Sequence, residues 1–262
     1  MRDILSDLSD AMSDPDPVRR AQIQMKRPMP KRFYKEVAVA LTDGGYAVQL
    51  DGRVVRTPAK RALAVETAAL AEYLKAEWDA QAEEIDPAKM PVTRLVNTAL
   101  DGVADNRDAV IEEIVRFAGT DMICYRADSP ERLVEIQRLS WDPVLAWAAD
   151  TFGARFILAE GVIHQEQPVP AIAAFAAALA RFTSPLEVAC IHTVTTLTGS
   201  AILALAFAYG RLDAETVWKL AHVDEDWQIE HWGTDEEAFR RRELRWQEMQ
   251  VAAAVFEALK AR

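Results

Sequence analysis

The side chains best suited to chemistry or to holding a partner are concentrated in positions 220–233. This run contains acids, histidines and tryptophans: His222, Asp224, Glu225, Asp226, Trp227, Glu230, His231 and Trp232. Consecutive helical residues point about 100° apart, so the three adjacent acids cannot share one helix face. We therefore expect Glu225 to project toward a neighbouring domain or a partner. The simpler alternative is a solvated acidic helix end with two core tryptophans.

The histidines leave a metal or hydrolytic interpretation of the same segment open. His222 has ligand-compatible helical spacing to Glu225, but a structural zinc site usually needs four ligands and a catalytic one three. A hydrolase using His222, Glu225 and His231 is the chief alternative function, and a structural adaptor is a third. The sequence contains no GxGxxG, GxxxxGK[ST] or GxSxG motif, which favours a binding protein without catalytic residues, metal or cofactor.

Composition narrows the class of protein further. Half of the 262 residues are hydrophobic and 27% are charged, which is typical of a globular chain. A net charge of −11 argues against nucleic-acid binding, since a phosphate backbone requires a basic surface. The uncharged stretch 188–210 is interrupted by threonines and Gly199 and lacks flanking belts, so we expect core helices and no membrane insertion. Cys124 and Cys190 are predicted to be buried free thiols.

Hydrophobic periodicity predicts an α+β fold in three parts: an extension over 1–30, a β-rich domain with a covering helix over 31–90, and a helical domain over 91–262. Apolar residues alternate over 37–55 around two Gly-containing turns, which predicts an antiparallel meander. Thr67 is a predicted N-cap for a helix to about 83 that buries Trp78 against the sheet. The acidic N-terminus does not resemble an export or organelle signal, which indicates the cytoplasm.

Helices are also predicted along the rest of the chain, with breaks at proline and glycine. One begins at Pro91 and ends near Gly102, another begins at Asn106, and a third runs from Pro130 and restarts at Pro143. The state of 120–126 and 155–164 is left undecided. Further helices are expected near 170–181, 185–198, 200–210, 213–231 and 235–260.

Short pieces spread over 31–260 stand in a characteristic order: Lys31-Arg32-Phe33-Tyr34-Lys35, Leu50-Asp51-Gly52-Arg53 with Thr57-Pro58, Glu77-Trp78 with Gln81, Met90-Pro91, Asn97 with Asp101, Thr120-Asp121, Gln137 with Trp141-Asp142-Pro143, and Asp224-Glu225 with Gln228 and Trp232-Gly233. In these pieces the chain resembles the family of assembly chaperones for the alpha subunit of the F-type ATP synthase catalytic head. The resemblance implies a β-rich part, a helical part and a non-enzymatic role. Such a chaperone binds the unassembled alpha subunit, covers the surface later buried against the beta subunit, and releases it on assembly.

The resemblance also assigns expected roles to particular residues. The partner-binding set, with Glu225 as its most important acid, is Glu225, Asp224, Gln228 and Trp232. A fold-maintaining set is expected at Trp78, Glu77, Gln81, Asp51, Gly52, Arg53, Trp141 and Pro143. The acidic N-terminus suggests a bacterial member of the family in the cytoplasm, whereas organelle relatives would act in the mitochondrial matrix.

Overall fold

The structure is a computed structural model that describes residues 29–160 and 165–261. The described residues divide into two compact units, one formed by 29–105 with 257–261, the other by 106–160 with 165–256. A small antiparallel sheet lies in the N-terminal part and helices make up most of the rest, which confirms the α+β class. All but the last two residues of the predicted extension lie outside the described residues.

The predicted meander is present, with its second strand at the centre. Its strands are β1 (Val37–Thr42), β2 (Gly45–Leu50), β3 (Arg53–Val54) and β4 (Ala64–Val65). β2 pairs antiparallel with each of the other three strands. Gly45 has a φ of +109°, and a Cβ there would collide with the Val65 carbonyl of β4, so glycine is required at this turn.

Helix α1 (Ala68–Asp79) packs against β1, β2 and β4. The predicted N-cap is confirmed, because the Thr67 hydroxyl accepts a hydrogen bond from the Leu70 amide at 3.3 Å. The helix ends four residues before the predicted position. Trp78 is half-buried, so it is less buried than the prediction of a tryptophan buried against the sheet. The ring lies edge-on to Tyr34, with 5.9 Å between ring centroids.

The helices predicted at Pro91 and Asn106 are both present and are joined through a π-helical segment. After a 3₁₀ turn (Pro87–Lys89) come α2 (Pro91–Thr98), a π-helical segment (Ala99–Val103) and α3 (Ala104–Gly119). The predicted end at Gly102 is wrong, because the wider π turn accommodates that residue without breaking the run. Asn106 has the non-helical angles φ −128° and ψ 26°, so a kink there separates two helices, and the prediction that a helix begins at Asn106 is confirmed.

The undecided segment 120–126 forms a 3₁₀ turn (Met122–Cys124) and β5 (Tyr125–Arg126), which pairs in parallel with β6 (Ala159–Glu160). Part of the other undecided segment, 161–164, lies outside the described residues. Helix α4 (Glu131–Phe152) continues through Pro143, so the predicted restart there is wrong. The carbonyl that Pro143 leaves without a donor belongs to Leu139, which is 60% exposed and therefore open to water.

The remaining helices follow the predicted order. They are α5 (Val169–Leu179), α6 (Pro185–Thr198), α7 (Ala201–Ala208), α8 (Ala214–Ala221), α9 (Val223–Trp232) and α10 (Glu236–Lys260). The single helix predicted over 213–231 is two helices, since His222 adopts φ −114° and ψ 20° between them. The His222 Nδ1 atom lies 2.7 Å from the Trp218 carbonyl. In a continuous helix that carbonyl would accept a hydrogen bond from the backbone amide of residue 222, so the side chain takes the place of a helix bond.

The uncharged stretch forms α6 and α7, and every residue of α7 is buried. Within the ranges that the structure describes, no helix combines the length and the apolar character needed to cross a membrane. Cys124 and Cys190 are buried free thiols, as predicted.

Candidate functional site

A cavity of about 480 Å³ lies between α9 and the first turns of α10. We call it the α9–α10 groove. Its apolar wall consists of Ile229, Trp232, Ala238 and Phe239. Its polar wall consists of His222, Glu225, Gln228, Asp235, Arg241, Arg242 and Arg245. Trp232 is 77% exposed and Phe239 48% exposed, so large aromatic surface borders a charged wall.

Helix α9 presents three of the four predicted partner-binding residues to this groove. Glu225, Gln228 and Trp232 are spaced three and four residues apart, which places them on one face of a helix. Gly233, with a φ of +85°, ends α9. The Asp235 carboxylate then caps α10, accepting hydrogen bonds from the amides of Glu237 and Ala238 at 2.8 and 2.9 Å. These bonds lower the pKa of Asp235.

Asp224 does not join the other three. Its carboxylate accepts a 2.8 Å hydrogen bond from Nε2 of Gln137, whose Oε1 accepts another from the Ala127 amide at 2.9 Å. Trp141, fully buried on the same helix α4, donates from Nε1 to the Leu220 carbonyl at 2.8 Å. Gln137 and Trp141 therefore attach the 220–224 segment to α4, and Asp224 serves that attachment.

Glu225 belongs to a loose charge cluster at the groove. Its carboxylate lies 3.8 Å from Nε2 of His222 and 3.9 Å from Nη1 of Arg242, and its side chain is 55% exposed. The same Nη1 lies only 2.5 Å from the Asp226 carboxylate, so Asp226 holds the closer ion pair. Burial lowers the pKa of His222, which favours its neutral form. Glu225 therefore presents a largely solvated charge.

The two histidines of the segment do not form a common site. Each ring bonds through Nδ1 to a carbonyl four residues earlier, His222 to Trp218 at 2.7 Å and His231 to Trp227 at 2.8 Å. Each ring also packs on that tryptophan, with centroids 4.0 and 3.9 Å apart. Among residues 29–160 and 165–261, no group of three or more His, Cys, Asp or Glu side chains could hold a metal ion. Nothing in this geometry favours the hydrolase alternative.

In the first unit, Asp51 and Gly52 form the turn between β2 and β3. The Asp51 carboxylate accepts hydrogen bonds from the amides of Lys35 at 3.1 Å and Glu36 at 2.9 Å, and these bonds lower its pKa. Gly52 has a φ of +77°, which favours glycine. Arg53 is exposed at the start of β3. The three residues lie at a turn that ties the segment before β1 to the meander.

Glu77, which was expected in the fold-maintaining set, makes contacts that the sequence did not predict. Its two carboxylate oxygens accept hydrogen bonds from the amides of Val92 and Thr93, each at 2.7 Å. Gln81 extends the link, donating to the Glu77 carbonyl at 3.0 Å and accepting from the Asp86 amide at 2.7 Å. Burial raises the pKa of Glu77, against the opposing effect of the bonds from Thr93 and Val92. Glu77 thus joins the end of α1 to the first turn of α2.

The arginines of α10 were also missed as site residues. Arg241, Arg242 and Arg245 line the groove, and Arg245 donates from Nη2 to the Leu197 carbonyl at 2.6 Å. A signal for them was available: the run 240–245 reads RRRELR in a chain whose net charge is −11. Such local basic enrichment indicates a surface with its own electrostatic preference.

Comparisons with known proteins agree in sequence and in structure. Residues 31–149 match the model of the ATP12 chaperone protein family. The mitochondrial protein atp12 of Schizosaccharomyces pombe is 24% identical over 231 residues, covering 84% of this chain and 79% of that protein.

Two crystal structures resemble nearly the whole chain. One, from Agrobacterium tumefaciens, is 55% identical with a TM-score of 0.86, covering 99% of this chain and 97% of the other. The structure of Atp12 from Paracoccus denitrificans is 39% identical with a TM-score of 0.84, covering 88% and 98% respectively. Because this identity extends over almost the full length of the relatives, the chain belongs to the ATP12 chaperone family, as its short sequence pieces predicted.

Proposed function

We propose that this protein is a chaperone of F-type ATP synthase assembly that binds the unassembled alpha subunit of the catalytic head. It shields the surface that the alpha subunit later buries against the beta subunit and releases it when the two assemble. The observation that supports this function best is the α9–α10 groove, where the 77% exposed ring of Trp232 adjoins arginine and glutamate side chains in a member of a chaperone family.

The physical requirements of such a chaperone match this groove. Interfaces of obligate assemblies are more apolar than ordinary surface, so an orphan subunit exposes a patch prone to aggregation. A few aromatic anchors supply most of the binding energy at an interface, while charges at the rim set association rate and specificity. Trp232 and Phe239 are candidate anchors, and Glu225 with Arg241 provides charge beside them.

Release needs no chemical reaction in this proposal. The beta subunit competes for the surface that the chaperone covers, and mass action displaces a client held by a small number of anchors. We place this activity in the bacterial cytoplasm, because the structural relatives at 55% and 39% identity come from bacteria.

The test is capture of the alpha subunit by the immobilised protein, with the subunit supplied alone or already assembled with the beta subunit. We expect capture of the free alpha subunit and none of the assembled head. Trp232→Ser should weaken binding about tenfold or more, because it removes a central aromatic anchor.

Leu244→Ser is the matched control for Trp232→Ser. Leu244 is an apolar residue of α10 that is 63% exposed but does not line the groove, so its loss should leave capture unchanged. Equal capture of free and assembled alpha subunit, or no capture of the free subunit, would contradict the proposed function.

A further inference from the structure

We infer that the α9–α10 groove takes an acidic client segment that carries an apolar anchor side chain, and that Glu225 competes with this segment for Arg242. This deepens the proposed function and rests on it. It names the chemistry of the client segment and gives Glu225 a role in release.

Basic residues outnumber acidic residues in the lining of the groove, whereas acidic residues outnumber basic ones in the whole chain. Three arginines, Arg241, Arg242 and Arg245, face two carboxylates, Glu225 and Asp235, in a protein whose net charge is −11. Asp235 is occupied as the cap of α10, since it accepts two backbone hydrogen bonds at 2.8 and 2.9 Å. Asp226 pairs with Arg242 from outside the lining, so the positive charge open to an acidic partner is that of Arg241 and Arg245.

The arginines retain the capacity to bind carboxylates. A guanidinium carries five N–H donors and can hold a carboxylate through two parallel hydrogen bonds. Arg245 is anchored by one bond to the Leu197 carbonyl at 2.6 Å, and Arg242 by Asp226 at 2.5 Å. These bonds fix both guanidinium groups in place and leave donors for a ligand, while Arg241 is exposed on the same wall.

The apolar wall and the volume of the groove limit what can enter it. Ile229, Trp232 and Phe239 are the large apolar residues of the lining, and the cavity measures about 480 Å³. That volume suits a few side chains of an extended or helical segment and excludes a folded domain. A short stretch with an aliphatic or aromatic residue beside aspartate or glutamate fits both walls.

Glu225 lies where it weakens the contact between Arg242 and a carboxylate of the client. Its carboxylate lies 3.9 Å from Nη1 of Arg242, while Asp226 lies 2.5 Å from the same nitrogen. Asp226 therefore suffices to hold Arg242, and Glu225 adds a second negative charge where a client carboxylate would bind. Like charges repel, so Glu225 lowers the affinity for an acidic segment and speeds its release.

The experiment measures dissociation constants and dissociation rates of the free alpha subunit at two salt concentrations. Arg241→Glu should weaken binding about tenfold, since a charge pair at an interface is worth roughly that factor. Arg240→Glu is the matched control, because Arg240 is the adjacent exposed arginine, does not line the groove and pairs with Glu236 at 3.3 Å. It should change binding less than about twofold.

Glu225→Gln is the second variant tested in this binding experiment. We expect tighter binding and slower dissociation, by about threefold, whereas Glu243→Gln on α10 outside the groove should have no effect. A synthetic peptide alternating Glu with Leu and Phe should compete with the alpha subunit, and the same peptide with Lys in place of Glu should not.

The outcomes separate the inference from the proposed function. If the wild-type protein captures no alpha subunit, the proposed function itself is wrong. If it does capture the subunit but Arg241→Glu binds as wild type, or Glu225→Gln binds more weakly, the inference is wrong and the function stands. Melting temperatures of all variants within about 2 °C of wild type show that binding differences do not come from unfolding.

Discussion

Replacing Glu77 with alanine tests whether this carboxylate, and not the neighbouring tryptophan ring, joins α1 to α2. The amides of Val92 and Thr93 lie in the first turn of α2, where backbone N–H groups have no partner within the helix. Glu77 accepts from both at 2.7 Å. A hydrogen bond to a charged group contributes about 1.5–3 kcal/mol, and water reaching a half-buried site reduces the loss, so we take the lower value for each.

Two such bonds predict that Glu77→Ala lowers the free energy of unfolding by about 3 kcal/mol. Glu77→Gln keeps one acceptor oxygen and should lose about half as much. The measurement is urea unfolding followed by circular dichroism, together with hydrogen exchange of the Val92 and Thr93 amides, which should accelerate. The control is Glu72→Ala, since Glu72 lies on the same helix with its side chain 61% exposed.

A Glu77→Ala variant within about 0.5 kcal/mol of wild type, the range expected for Glu72→Ala, would refute this reasoning. So would unchanged exchange at the two amides. Either result would mean that water or another group replaces the carboxylate without cost, and that the link between α1 and α2 depends on other contacts.

Two further changes follow from other contacts. Trp78→Arg should lower the free energy of unfolding by about 1–3 kcal/mol, because it loses the contact with Tyr34 and adds a second cation near Arg32; an unaltered melting temperature would contradict this. Burial raises the pKa of Asp121 from 3.8 to about 7, so its contribution to stability is full below about pH 4 and declines as pH rises to about 7. The stability of the wild type relative to Asp121→Asn should fall over that range and stay constant above it, as measured by urea unfolding at several pH values.

The meander could be predicted from sequence because its determinants are local. Strand alternation has a period of two, and the turn at 51–52 needs only an Asp-Gly pair and the positive φ that glycine allows. The N-cap at Thr67 is equally local, since its hydroxyl bonds an amide three residues away. These features require no knowledge of what lies across the molecule.

The predicted helix end at Gly102 was misplaced because distant contacts outweigh local preference. The π turn at 99–103 contains Asp101, whose carboxylate accepts from the Thr57 hydroxyl at 2.7 Å and the Ala59 amide at 2.9 Å. Those partners lie more than forty residues earlier, so no local pattern around Gly102 reveals them. Trp78 was misjudged for a related reason: the type of residue indicates burial, but the actual neighbours decide how much.

In the candidate site, too, some features follow from local sequence and others depend on contacts between distant parts of the chain. Helical spacing puts Glu225, Gln228 and Trp232 on one face, as observed, whereas the predicted partner-binding set also included Asp224, which the structure places against Gln137. The run of arginines gives no such guidance, because composition cannot show which of its members faces α9. That choice depends on where Gly233 and the cap of α10 turn the chain.

The adjacent acids Asp224 and Glu225 of α9 have different roles. An experiment can therefore distinguish a loss of stability from a loss of client binding. Asp224 binds Gln137 at 2.8 Å and so fixes α9 on α4, whereas Glu225 is 55% exposed and its nearest basic partners are 3.8 Å or more away. Changes at Asp224 should therefore lower stability and client binding together. Changes at Glu225 should alter binding alone, because the helix keeps its attachment. A chaperone that must hold and then release a client benefits from this arrangement, since affinity can be adjusted at the groove while the fold that positions it stays constant.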